Sequence, residues 1–198
     1  MAGGSAFTFG YPEHGELLAA AGADVVTVDP LRDEALPAGA TGLVLPGGFP
    51  EEHLEALTAN VALRDAVRTF AGEGGAIHAE CGGLLYLARA LDGAPMCGVL
   101  PADAAMGPRL HLGYRTAVAE ADSPVAAAGE VVTGHEFHRT TVTPHAGVTP
   151  AWTWDGTPEG FVVGNVHASY LHTHPAGRPA AVVRFAHVSS PRGYSPED

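Results

Sequence analysis

The sequence predicts an α/β domain with a largely parallel sheet, and three observations support this fold class. Short apolar, β-branched runs alternate with helical patterns through the first half of the chain. Glycine or proline stands at most junctions between these runs. In the second half, longer runs alternate apolar and polar residues, as antiparallel strands with one solvated face do. We therefore expect parallel strands covered by helices, followed by an antiparallel part.

The helices and strands of the first half are predicted from runs of helix-forming residues, runs of β-branched residues and the glycines or prolines that end them. A run of helix formers ends at Gly22, a residue typical of helix ends, and a β-branched run follows it. At the start of the chain, we expect either a short first strand at 5–9 or a domain that begins after the usual position of its first strand. In order, we then expect a helix at 13–21, a strand at 24–31, a strand at 43–45, two helices within 51–74 divided near Asn60, a strand at 75–80 and a helix at 82–93.

The second half predicts antiparallel strands and one closing helix. Alternating runs extend from residue 96 to residue 144, and a strand pair follows within 159–175. The segment 176–190 has the pattern of a helix, and 191–198 is predicted to be a frayed tail.

Composition excludes several classes of protein. The chain has 198 residues, 46% of them hydrophobic, so it can bury one core, and we expect a single domain over 1–198. Ten Lys and Arg residues face 22 Asp and Glu residues, giving a net charge of −12, which disfavours nucleic acid and anionic membranes as partners. No apolar run is long enough to span a bilayer and no signal peptide is evident, so a cytoplasmic location is predicted.

Cys81 stands between a predicted strand and a predicted helix, in the run AECGGLLYL. A nucleophile elbow exposes its nucleophile at such a junction, in a strained turn that needs small neighbours, and Gly82 and Gly83 supply them. The first N–H groups of the helix would stabilise a thiolate. The alternative is a small buried side chain, which is the simplest interpretation of Cys97. With two glycines behind it, Cys81 is the candidate nucleophile.

A nucleophilic thiol needs a base, and the chain has 11 histidines. The run NVHASYLHTHP contains three of them. If 168–174 is one strand, His172 and His174 share a face and His167 lies on the other, which leaves His172 and His174 as candidate bases. Histidines two apart on a strand can also bind zinc, but no cysteine or carboxylate stands at ligand spacing nearby, so no metal is expected.

An acyl-transfer site also needs donors for the oxyanion of its intermediate. In LPGGFPEE, two glycines follow a strand and allow a backbone N–H to approach a ligand closely. The N–H of Gly82, directly after the candidate nucleophile, is the second candidate donor. Alone, the PGG run would indicate only a turn.

Four segments follow one another in the order LVLPGGFPEE, AIHAECGGLLYL, GHEFHRTTV and ASYLHTHP. Together they resemble the class I glutamine amidotransferase domain of cobyrinic and hydrogenobyrinic acid a,c-diamide synthases, over nearly the whole chain. The resemblance implies a flavodoxin-like sheet, mostly parallel, with antiparallel strands in the second half and helices on both faces.

The resemblance also implies roles for individual residues. Cys81 would attack the carboxamide of glutamine, and the N–H groups of Gly48 and Gly82 would hold the oxyanion. His172 corresponds to the family's base, with His174 left as a second base or an orienting residue. The wider amidotransferase pattern has an acidic residue two positions after the His-Pro pair, whereas this chain has Ala176 and Gly177 after His174-Pro175. A Cys-His pair, or a base oriented some other way, is therefore expected.

The GHEFH segment has two interpretations. From composition, His135, Glu136 and His138 form a solvated hairpin edge. The resemblance instead implies that they face a corrinoid-binding partner or the route of ammonia.

The resemblance implies an enzyme of cobalamin biosynthesis in which glutamine is the substrate of this domain. The family's ATP-dependent synthetase domain, with ATP and magnesium, is expected to be absent, because no GxxxxGK[ST] motif occurs. The domain itself is expected to need no cofactor, and it would be either excised or a natural separate subunit that delivers ammonia to a synthetase partner.

Two alternatives remain. The chain could be the amidotransferase part of cobyric acid synthase or of an enzyme that amidates peptidoglycan precursors, or it could be a catalytically silent docking module. The sequence leaves open which corrinoid is amidated, whether cobalt is present and whether the chain forms a homodimer.

Overall fold

The computed structural model describes residues 1–190, so the tail predicted at 191–198 lies outside the described residues. Five α-helices and ten strands are formed within that range. The helices are α1 Pro12–Ala20, α2 Leu54–Ala59, α3 Val61–Gly72, α4 Gly82–Leu87 and α5 Pro179–Ser189. The strands are β1 Gly42–Leu45, β2 Ala76–Glu80, β3 Ala90–Leu91, β4 Ala94–Pro95, β5 Asp103–Ala119, β6 Val131–Thr143, β7 Trp152–Trp154, β8 Thr157–Glu159, β9 Phe161–Val163 and β10 Val166–Ser169.

A four-stranded sheet in the order β1-β2-β10-β9 positions the candidate site. The pairs β1–β2 and β2–β10 are parallel, and β9 runs antiparallel to β10. Ala79 of β2 is in register with Leu45 of β1 and Ala168 of β10. The carboxyl ends of the three parallel strands therefore meet at one edge, where α/β sheets commonly bind their ligands.

Helices cover both faces of this sheet, as predicted. Leu43, Leu45 and Ile77 pack in a large core cluster that includes residues of α2, α3 and α4. Val44 and Ala76 point the opposite way, into a cluster formed with α1 and α5. Strands buried on both faces explain the short, almost wholly apolar runs in the sequence.

The second half forms the predicted antiparallel part. A second sheet has the order β4-β3-β5-β7-β8, and β6 pairs with β5. The hairpin of β5 and β6 is long, and its register shifts between Met106 and His111. Within residues 1–190, no helix is both long and apolar enough to cross a bilayer.

Three predicted elements differ from the structure. The strands expected at 24–31 and 5–9 are reduced to isolated bridges at Val28 and Phe9. Residues 1–3 take the place beside β1, where Ala2 N donates to Val44 O and Gly3 N donates to Val28 O, so pairing is limited to single residues. The helix expected over 82–93 ends at Leu87, because the chain then turns extended and enters β3.

Other predicted elements are confirmed. The division near Asn60 is real: its side chain accepts a hydrogen bond from Leu63 N and caps α3. Helix α5 and the β9–β10 pair lie where the sequence placed a closing helix and a strand pair.

Candidate active site

Cys81 occupies a strained turn between β2 and α4, with φ 47° and ψ −99°. A positive φ is rare for a residue with a side chain and marks stored strain, as a nucleophile elbow requires. The glycines behind it are needed for packing. A Cβ on Gly82 would lie 2.8 Å from Gly48 N, and one on Gly83 would overlap the carbonyl oxygen of Leu45.

The expectation that the Cys81 side chain is exposed is wrong, because the residue is only 5% exposed. It belongs to the main core cluster, at the point where the ends of β1, β2 and β10 converge. The residue nevertheless lies near a polar side chain, since Oε2 of Glu80, directly before it, is 3.6 Å from Nδ1 of His172.

His172 lies three residues beyond the end of β10 and is buried, 4% exposed. Burial alone would lower its pKa, but the neighbouring side chains of Cys81 and Glu80 outweigh burial and raise the pKa to about 10. The ring is also close to the loop after β1, because a Cβ on Gly47 would overlap it. The structure thus brings together the predicted nucleophile and the preferred candidate base.

Glu80 is the residue near the site that sequence reasoning missed. Its side chain is 9% exposed, and Oε2 lies 3.6 Å from Nδ1 of His172. Burial favours the neutral acid, yet the neighbouring imidazoles of His172 and His78 hold the pKa of this carboxyl well below its usual range. The wider amidotransferase pattern directs attention to the positions after the histidine, where this chain has no acidic residue. The available signal was the acidic residue directly before the candidate nucleophile.

The loop after β1 and the start of α4 approach each other, as the oxyanion prediction required. Among the loop and turn hydrogen bonds of the described residues, Phe49 N donates to Ala6 O, Gly83 N to Pro46 O and Cys81 N to Ser169 O. The N–H groups of Gly48 and Gly82 have no backbone acceptor in that network. Two N–H groups without a backbone acceptor, on neighbouring residues of the loop and of the start of α4, are what an oxyanion hole needs.

His174 is directed elsewhere. It is exposed, and its Nδ1 accepts a hydrogen bond from Ala176 N at 3.2 Å, capping a short 3-10 helix at Pro175–Gly177. Its ring packs on Tyr11, with centroids 4.3 Å apart. The two histidines do not share a strand face, because β10 ends at Ser169. This geometry favours His172 as the base.

His135, at the middle of β6, is next to the candidate base. Its backbone pairs with that of His172, and the two rings are stacked with centroids 5.0 Å apart and planes 12° apart. Burial, and then the neighbouring His172, lower the pKa of His135, which keeps it neutral at pH 7.

Glu136 and His138 do not form a solvated edge, and they point to the face of β6 opposite to His135. Glu136 is buried and pairs with Arg115, whose Nε lies 2.7 Å from Oε2. The His138 ring stacks on Tyr170 at 3.6 Å. The premise that these polar groups had little reason to be buried is therefore wrong for Glu136, which pairs with Arg115, whereas Nε2 of His138 is buried without a hydrogen-bond partner and lies 3.5 Å from Oε1 of Glu136.

Exposed apolar side chains surround His135 on the outer face of the β5–β6 hairpin. Leu112 is 64% exposed, Tyr114 90% and Phe137 47%. Leu112 is in register with Phe137, and Tyr114 with His135. We call Leu112, Tyr114 and Phe137 the hairpin face. In the part of the chain that is described, no group of three or more His, Cys, Asp or Glu residues is arranged to hold a metal ion.

Comparison with known proteins identifies the family of this chain. A profile described as the CobB/CobQ-like glutamine amidotransferase domain matches residues 5–180. A hydrogenobyrinate a,c-diamide synthase of Streptomyces coelicolor is 60% identical over 188 residues, which are 93% of this chain and 39% of that protein. A cobyrinate a,c-diamide synthase of Synechococcus sp. is 43% identical over 190 residues, which are 91% of this chain and 42% of that protein. The chain therefore spans about two fifths of the length of these relatives.

Solved structures share the fold. A crystal structure described as a glutamine amidotransferase has a TM-score of 0.63 at 23% identity and covers 89% of this chain and 92% of its own. The structure of PurLQS from Thermotoga maritima has a TM-score of 0.64 at 17% identity, with 87% and 88% coverage. The predicted glutamine amidotransferase-like α/β fold is thus confirmed. With a profile that matches most of its length, the chain belongs to the family of CobB/CobQ-like glutamine amidotransferase domains.

Proposed function

We propose that this domain hydrolyses glutamine through a thioester on Cys81 and releases ammonia for an ATP-dependent amidation. The observation that carries the proposal is the strained Cys81 near a buried His172, to which the preceding residue, Glu80, approaches within 3.6 Å. A cysteine reacts as its thiolate, and the raised pKa of His172 provides an imidazolium that can donate a proton to a leaving group.

The chemistry follows from this pair. The thiolate attacks the side-chain carbonyl carbon of glutamine, and the negative charge that develops on the oxygen is held by the N–H groups of Gly48 and Gly82. The His172 imidazolium gives its proton to the departing nitrogen, so ammonia leaves and a γ-glutamyl thioester remains. Neutral His172 then takes a proton from water, the hydroxide attacks the thioester, and glutamate and the thiolate are released.

The acceptor of the ammonia is proposed from the relatives. Two of them are named hydrogenobyrinate and cobyrinate a,c-diamide synthases. We therefore propose amidation of the a and c carboxylates of such a corrinoid, performed by a synthetase partner that binds ATP and magnesium. This domain would supply ammonia and would itself bind only glutamine.

The hairpin face is the proposed docking surface for that partner. Three large exposed apolar side chains on one sheet face are unusual for a surface that stays in water. The face adjoins His135, which is stacked on His172, so a partner docked there would cover the route by which ammonia leaves. The remaining length of the relatives, about three fifths, is the occupant to which the proposal commits.

The test uses a chimera in which this chain replaces the matching part of the Streptomyces coelicolor relative. We expect diamide formation from the corrinoid with ATP and glutamine. Cys81→Ala should abolish the glutamine-dependent reaction and leave the reaction with ammonium salts intact. A silent docking module would instead give no glutamine-dependent product with or without Cys81, and amidation of a different carboxylate set would exclude the proposed acceptor.

A further inference from the structure

Glu80 joins the candidate nucleophile to the segment that carries the candidate base. It is the last residue of β2 and directly precedes Cys81. While Oε2 faces His172, Oε1 accepts hydrogen bonds from the backbone N–H of Thr173 at 3.0 Å and from its hydroxyl at 3.1 Å. One carboxylate therefore contacts two successive residues of the segment after β10.

We propose that Glu80 is a positioning residue for His172. Its Oε1 fixes the segment through Thr173, and its Oε2 holds the Nδ1 side of the ring, so that Nε2 is left for the thiol. The negative charge also favours the imidazolium that must protonate the departing nitrogen. This inference rests on the proposed function, because it assigns a role within the same reaction.

Two of the titratable groups around Glu80, His172 and His78, lie close enough to form ion pairs with it. Among residues 1–190, Glu80 has ion-pair contacts with two side chains, His172 and His78, and the contact with His78 is 3.4 Å. Four more groups feel its charge: Tyr11, His14, His135 and His167. Burial lowers the pKa of His14 to about 4 and also lowers those of His135 and His167, so these three rings are neutral at pH 7.

A purely structural role would use the same hydrogen bonds without needing the charge. An amide oxygen can accept the hydrogen bonds from the Thr173 N–H and hydroxyl as well as a carboxylate oxygen can. The placement of Oε2 against an imidazole is the feature that a structural role does not require. A substitution that keeps the acceptor and removes the charge therefore separates the two roles.

The test is the rate at which iodoacetamide alkylates Cys81 in the 198-residue chain at pH 7, followed by intact mass. Glu80→Gln should slow alkylation about tenfold or more, because an adjacent opposite charge shifts a pKa by about one to three units and the imidazolium is lost with it. The thermal midpoint should stay close to that of the parent. In the chimera, kcat for glutamine hydrolysis should fall while KM is unchanged.

Glu159→Gln controls for placing an amide at a buried carboxyl site near β10, since Glu159 is fully buried, accepts hydrogen bonds from Ser169 and Tyr170, and has a pKa raised to about 8, so that it carries little charge at pH 7. It should leave the alkylation rate unchanged. Glu80→Asp keeps the charge on a shorter side chain and should give an alkylation rate between those of the parent and Glu80→Gln. If Glu80→Gln does not fold, the alkylation rate of Glu80→Asp tests the inference instead.

An alkylation rate equal to the parent in the folded Gln variant, or in the Asp variant when only that one folds, would overturn the inference. If the parent thiol itself reacts no faster than free cysteine, the proposed function fails as well, which is a distinguishable result.

Discussion

The imidazole rings of His135 and His172 lie face to face, and their backbones exchange two hydrogen bonds of 3.0 Å and 2.9 Å. Strand β6 therefore holds the segment after β10 from one side, while the loop at Gly47 limits the ring from another. The candidate base is fixed by elements from three distant parts of the chain. Its position should therefore respond to substitutions in each of them.

His135→Ala should reduce glutamine hydrolysis by the chain roughly two- to tenfold, because a stacked aromatic pair contributes about 0.5–1.5 kcal/mol to holding a ring. His135→Phe, which retains a ring, should recover most of the rate. Val148→Ala, which shortens a fully exposed side chain outside the hairpin face, is the control and should have no effect on hydrolysis. Equal rates for His135→Ala and the parent would contradict this role.

Gly47→Ala should reduce hydrolysis more than tenfold, because its Cβ would overlap the His172 ring and small displacements of catalytic groups cost about a hundredfold in rate. The control is Gly72→Ala at the end of α3, where a Cβ meets open space. That change should leave the rate unaltered and stabilise the fold by up to about 1 kcal/mol. An active Gly47→Ala variant would show that the loop does not limit the ring.

Glu159→Gln should change how stability depends on pH. Burial raises the pKa of this carboxyl to about 8, against the hydrogen bonds from Ser169 and Tyr170. Between the usual value near 4.5 and about 8, the folded state binds more protons than the unfolded state, so the free energy of unfolding falls as pH rises through this window. The destabilisation caused by ionising the buried Glu159 is absent below this pH window and complete above it.

Gln resembles the protonated acid and cannot ionise. As pH rises from about 5 to about 9, the free energy of unfolding of the variant should therefore increase by roughly 3 to 5 kcal/mol relative to that of the parent. Urea unfolding at several pH values measures this difference. A difference that stays constant with pH would show that Glu159 does not titrate in this window.

Paired Ser substitutions at Leu112 and Phe137 should uncouple the chimera without harming the site. We expect unchanged glutamine hydrolysis by the isolated chain, but several-fold less diamide from glutamine in the chimera, with the reaction from ammonium salts less affected. The matched control is Val148→Ser, which changes a fully exposed side chain outside the hairpin face. Unaltered coupling in the double variant would remove the hairpin face as the docking surface.

Much of this site was predictable from local sequence patterns. The elbow at Cys81 follows from a strand, a cysteine and two glycines, and the glycine loop follows from PGG after a strand. These signals are local because strain and close approach demand particular residues at particular places.

The remaining features depend on contacts between distant segments. The Glu80–Thr173 hydrogen bonds join residues 93 positions apart, and the His135–His172 pairing depends on how the hairpin docks against the sheet. The burial of Glu136 could not be predicted either, because its partner Arg115 lies on the opposite strand of the hairpin. The strand expected at 24–31 does not form, because a segment with high β propensity becomes a strand only where a partner pairs with it along its whole length.

The central claim is that one of two buried cysteines is an activated nucleophile, and affinity labelling compares them directly. Cys97 is an internal control, because burial raises its pKa to about 12. Treatment with 6-diazo-5-oxo-norleucine at pH 7 should give one adduct, on Cys81, that glutamine prevents and that is absent from Cys81→Ala. No adduct on Cys81, in the chain or in the chimera, would contradict the account.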